Sequence, residues 1–129
     1  MALRIVRLGE SRLPREGLRL GTVRRPPRGV RKQDYAARDW FDVWLPELAP
    51  SAPLVAYAFA GPFTPARWKT YARRYRREMA APAAARLLDV VAALSSRTDL
   101  SVGCYCADER RCHRSLLKKL LAARGATFA

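Results

Sequence analysis

The chain has 129 residues, 50% of them hydrophobic, and sets 25 basic against 11 acidic side chains for a formal net charge of +14. That length suits one domain with one buried core, and the apolar content excludes a disordered tail. No apolar run approaches the roughly 20 residues that span a bilayer, and residues 1–8 lack a leader-type apolar stretch, so a cytoplasmic protein with no membrane partner is expected.

Residues 3–8 are short and β-branched and predict a first strand; residues 9–17 are loop. Residues 18–24 alternate and predict a second strand, closed by the rigid turn Pro26-Pro27-Arg28-Gly29. Phe41, Val43 and Leu45 alternate with Asp42 and Trp44, which predicts a short third strand ended by Pro46. Residues 51–60 are apolar and predict a short helix. Thr64-Pro65 marks a helix start, with threonine as cap and proline at the first helical position. Trp68, Tyr71, Ala72, Tyr75 and Met79 then share one face as core. Arg73, Arg74, Arg76 and Arg77 form a solvated face, with Glu78 spaced to pair with Arg74. Pro82 ends that helix, and the next, over residues 83–94, presents Leu87, Leu88, Val91 and Leu94 as its buried stripe. Residues 100–105 predict a strand and 107–111 a charged loop. Residues 112–123 predict a helix with Leu116, Leu117, Leu120 and Leu121 inward and Gly125 as its stop. Helices interleaved with strands predict a single α/β domain over residues 1–129, with a mainly parallel or mixed central sheet flanked by helices. Ligands of such folds bind beyond the carboxyl ends of the strands.

The three cysteines lie at that edge, within nine consecutive positions. This is a local cluster in a reducing compartment rather than a secreted disulfide framework. In an extended strand Cys104 and Cys106 share a face with Tyr105 opposite, while Cys112 and His113 open the next helix. Three chemistries fit. Cys104, Cys106, Cys112 and His113 are soft ligands in a Cys-x-Cys-x5-Cys-His pattern that suits zinc, although the spacing differs from paired Cys-x2-Cys knuckles; the leading expectation is no metal and no cofactor. Alternatively, Cys112 at a helix N-terminus beside Arg110, Arg111 and Arg114 has its thiolate stabilised, with His113 as base or orienter, as in a cysteine enzyme or redox sensor. Cys104 to Arg110 also matches the Cys-x5-Arg phosphatase spacing, but Asp108 and Glu109 inside it would repel a phosphate. The third reading is an anion site at the helix N-terminus, clamped by Arg114 and joined by Arg24, Arg25 and Arg28 around the proline turn. Cys104 by itself is most simply a small buried hydrophobe.

Of the basic residues, 21 are arginine, a bias that a GC-rich genome alone would produce. Their placement is more telling: residues 1–38 carry a net +8, 67–86 a net +6 and 110–129 a net +6, while the two stretches between are each −3. Convergence of the basic segments would make a face that attracts nucleotides or nucleic acid.

The run Cys104-Tyr105-Cys106-Ala107-Asp108 through Cys112-His113-Arg114 resembles the family called domain of unknown function 488, which ends on a strand leading into Cys-Ala-Glu and then Cys-His-Arg on a helix. Residues 24–29 are similar to that family's arginine- and proline-containing turn, with Lys32 following. Residues 48–51 and 68–78 resemble two more of its segments. The resemblance implies an α/β domain with polar residues gathered at one sheet edge and carries no established reaction. Asp108 stands where the family has glutamate, and Arg24-Arg25 where it has an acid followed by arginine.

The expected function is therefore binding of a phosphate-bearing nucleotide or nucleic acid at the strand-to-helix junction, with catalysis on that ligand left open. Arg114, Arg28, Arg24 and, from the resemblance, Lys32 would hold the anion. His113 and Asp108 would move protons, and Cys106 or Cys112 would line the site or react. The alternatives are a thiolate enzyme or redox sensor using Cys112, and a non-catalytic basic module associated with nucleic acid.

Overall fold

Hydroxyl caps and prolines set the helix starts. The computed structural model describes residues 1–129. In it Ser51 accepts from Leu54 N to open α1 (Ala52–Phe59), and Thr64 accepts from Arg67 N to open α2 (Pro65–Met79). Each such cap contributes about 1 kcal/mol. Pro82 starts α3 (Pro82–Ser95) rather than merely ending the helix before it, because proline suits the first turn, where its missing N–H has no partner to lose. After the strand Leu100–Cys104, the last helix runs over His113–Ala123, and Gly125 at φ 80° turns the chain out of it.

The strands β1 (Leu3–Arg7), β2 (Leu18–Gly21), β3 (Val43–Trp44) and β4 (Leu100–Cys104) make one sheet in the order β1-β4-β2-β3, with every pairing parallel. The chain thus returns after three helices to insert β4 between the first two strands. Leu3, Leu20, Leu100 and Val102 share one face and join the buried side chains of α1, α2, α3 and α4 (His113–Ala123) in a single 17-residue core.

The helices do not flank the sheet on both sides. Alternation along β2 and β4 puts Arg19 and Ser101 on the opposite face, which loops close. Arg19 is 1% exposed; it donates to both oxygens of the equally buried Glu16 at 2.6 and 2.7 Å and to the carbonyls of Glu10 and Asp39. Ser101 donates to Glu16 at 2.9 Å. Burial pushes the Glu16 carboxyl up, but the hydrogen bonds from Arg19 and Ser101 and the guanidinium charge outweigh it and hold the group below the usual range.

Three expectations change. The second strand ends at Gly21 and the third shrinks to two residues, because Phe41 leaves the alternation and lies directly on Gly21, where a Cβ would run into its ring. The stripe of α3 is rotated: Leu88 and Val91 are buried with Ala84, Ala92 and Ser95, while Leu94 is 41% exposed. Glu78 turns from Arg74 and instead accepts from Ser51 N and Oγ at 2.8 and 2.5 Å, tying α2 to the start of α1. No helix is long and apolar enough to cross a membrane.

Candidate functional site

A parallel sheet delivers every strand's carboxyl end to one edge, so the chain just after β1, β2 and β4 meets there. Strand alternation divides that edge in two. Cys104 and Cys106 lie on the α4 side and Tyr105 on the other.

On the α4 side the Sγ atoms of Cys104 and Cys106 are 3.8 Å apart, and Cys112, the N-cap of α4, brings a third Sγ within 4.8 Å of both. Cys104 and Cys112 are buried, Cys106 half-buried. His113 follows, with Nε2 2.7 Å from the carbonyl of Thr22 and Nδ1 3.6 Å from Cys112 Sγ. A carbonyl only accepts, so Nε2 carries the proton and Nδ1 turns a bare lone pair toward the sulfur. Burial lowers the His113 pKa to about 4, with the nearby Arg114 charge adding to it, so the imidazole is neutral at pH 7. The hydrogen bond from Cys104, with another from Cys112, pulls the Cys106 thiol well down, helped by the Arg114 charge. Donating to Cys106, and burial, push Cys104 up against the hydrogen bond it accepts from Cys112; donating to both Cys104 and Cys106, and burial, push Cys112 up. The thiolate-favouring sulfur is therefore Cys106 and not Cys112, which is 1% exposed. The helix N-terminus that was to activate Cys112 is sealed by the protein itself. The phosphatase spacing fails for the same reason: Cys104 is a buried strand residue and Arg110 is exposed.

On the other side lies an open cleft of about 890 Å3, lined by Arg7, Leu8, Gly9 and Glu10 from the end of β1, Arg25–Arg28 from the proline turn, Trp40 and Tyr105. Tyr105 donates to the carbonyl of Arg25 at 2.9 Å, and its ring meets Trp40 edge to face at 5.8 Å. Arg7 Nε donates to the carbonyl of Tyr105. The Trp40 ring covers Gly9, whose φ of 94° is open to glycine and leaves no room for a Cβ. The buried Nε1 of Trp40 has no partner.

The predicted anion clamps divide between these places and others. Arg28 lines the cleft. Arg24 does not: it donates to the carbonyls of Pro46, Ala49 and Pro50 and holds two loops together. Arg114, 4% exposed, donates to the carbonyls of Val6 and Cys106, pinning α4 to the end of β1. A guanidinium spent on carbonyls in this way has little left for a ligand. Lys32 sits in a short 3-10 turn outside the cleft. Asp108 accepts from Arg110 N and faces Arg111 at 3.6 Å; it is exposed and belongs neither to the sulfur cluster nor to the lining of the cleft. The cleft takes its arginines from the first basic segment alone, while Arg67 of the second and Arg111 of the third meet in the lining of a separate, smaller pocket.

Arg7, Glu10, Trp40 and Thr22 escaped the sequence reading. For Arg7 and Glu10 a signal existed, because they follow a strand whose carboxyl end must lie beside that of β4. Trp40 and Thr22 carry no local signature.

A family model described as "Active DUF488-N3 subclade" matches residues 3–125. No curated protein and no solved structure matches the chain.

Proposed function

The chain belongs to the DUF488 family, and on that premise we propose that it binds a phosphate-bearing nucleotide unit, free or within a nucleic-acid strand, in the cleft at the carboxyl edge of the sheet. One observation carries the reading: Arg7, Arg25 and Arg28 surround an open cleft that also holds two aromatic rings, and none of the three is in an ion pair. Guanidinium forks match phosphate oxygens, and a tryptophan or tyrosine face accepts a base. Glu10, the one acid in the lining, suits a sugar hydroxyl or a ring N–H rather than the phosphate. The edge is pre-organised, since the Tyr105 hydroxyl and Arg7 are both tied to backbone carbonyls. Ligand affinity then loses less to ordering the site.

Two probes test this: ATP, followed by tryptophan fluorescence, and a fluorescein-labelled single-stranded DNA decamer, followed by anisotropy. Binding of either at low salt, weakened by added salt and by Arg25→Ala with Arg28→Ala, is the expected result. The choice between them assigns the free nucleotide or the strand. No binding of either probe, or binding indifferent to both arginine changes, overturns the reading.

A further inference from the structure

The thiols on the far side of β4 are not used by the nucleotide cleft, and their geometry points to a second site. We propose that Cys104, Cys106 and Cys112 together bind a thiophilic metal ion, zinc by their spacing, as three thiolate ligands. Sulfurs arranged tetrahedrally around zinc at about 2.3 Å lie roughly 3.8 Å from one another. Cys104 and Cys106 are 3.8 Å apart, and the third sulfur is within 4.8 Å of each, so closing the set asks only for small side-chain adjustment.

The fold explains how three residues so close in sequence converge. Strand alternation sends Cys104 and Cys106 the same way past Tyr105, and the turn over Glu109–Arg111 folds back to set Cys112 above them. A disulfide between any two would leave the third thiol without a role; a metal uses all three.

The surroundings suit an ion. Cys104 and Cys112 are buried and belong to one apolar cluster with Leu8, Val23 and Phe41. Three thiolates and a divalent ion leave a single net negative charge. Beside them the buried Arg114 guanidinium donates to the Cys106 carbonyl and keeps an unpartnered Nε–H. A buried cation with a spare donor is costly where nothing offsets its charge, and an anionic metal–thiolate centre beside it compensates that charge. His113 acts as a positioning residue. Its Nε2 is anchored to Thr22 and its Nδ1 faces Cys112, but it lies outside the set that closes on all three sulfurs. Cys106 is the only half-buried member, so the fourth position opens on its side.

The test is metal content of the full chain purified under reducing conditions without chelator. About one zinc per chain is expected. Cobalt substituted for zinc should show thiolate-to-metal charge-transfer absorption of an intensity expected for three thiolates. Cys104→Ser, Cys106→Ser and Cys112→Ser should each cut retained metal at least tenfold under chelator competition. Cys106→Ser is the variant least able to disturb the core, and far-ultraviolet circular dichroism identifies any variant that fails to fold. His113→Gln should leave three thiolates in the cobalt spectrum. Metal-free protein with three titratable thiols and no cobalt spectrum overturns the proposal. So does a Cys104–Cys106 disulfide in metal-free protein, or full zinc retention by a folded Cys106→Ser. None of these readouts uses ATP or DNA, so the metal site and the nucleotide cleft fail independently.

Discussion

The two sides of the Cys104–Cys106 segment are a residue apart and chemically opposite. One side gathers three sulfurs and an imidazole among apolar side chains and admits solvent only at Cys106. The other is an open, cationic cleft with two aromatic rings, facing a solvent that can carry a large polar ligand. Both come from the same strand end, because successive side chains leave a strand in opposite directions. What decides their characters is what covers each face. Helices, which bring apolar stripes, cover the thiol side. Loops cover the other, and they bring Arg25, Arg28 and the Glu16 carboxylate that pairs with Arg19 of β2. A strand-to-helix junction therefore need not be one site.

The largest test of that contrast concerns the loop-covered face. Glu16→Ala leaves Arg19 buried with no carboxylate, and removing one partner of a buried pair costs about 3–5 kcal/mol. Urea unfolding should show that loss, and an unchanged midpoint would mean the ion pair does not hold this face. The same group gives a pH signature. Its folded pKa lies below its unfolded one, so its contribution is complete above the ordinary carboxylate range and fades as pH falls through the lower, folded value. Acid unfolding of the native chain should therefore be steeper than that of Glu16→Gln.

Next in size, Trp40→Ala should weaken ATP or decamer binding by roughly 5- to 150-fold, the range that about 1–3 kcal/mol of base stacking implies, while leaving zinc content untouched. A loss of metal in that variant would merge the two regions into one. Arg28→Ala should shrink the dependence of log affinity on log salt by about 0.7–0.9 if it meets one phosphate; an unaltered slope removes Arg28 from the interface. On chelator-treated protein, mass spectrometry after brief iodoacetamide exposure should find Cys106 alkylated first, since its neighbours are buried. Labelling of Cys112 first would invert the assignment. The smallest effect expected is that of Tyr105→Phe, which removes one hydrogen bond to Arg25 and should cost about 0.5–1.5 kcal/mol of stability.

Read alone, the sequence determined a good deal: the helix starts at Ser51 and Thr64-Pro65, the aromatic face of Tyr71 and Tyr75, the strand into the cysteines, the α/β class and the family. Each of these rests on local chemistry, either a cap, a fixed φ or a repeat of 3.6 or 2. The shared direction of Cys104 and Cys106 follows from the same alternation. Only the tertiary structure decided which arginines are free and which are spent. Arg24, Arg25 and Arg28 look alike in sequence, yet Arg24 is consumed by carbonyls more than 20 residues away while the other two line the cleft. It also decided which cysteine solvent reaches: Cys106 is half-buried, while Cys104 and Cys112 are buried. Whether a polar group serves a ligand or the protein depends on partners distant in the chain, and local sequence carries no record of them.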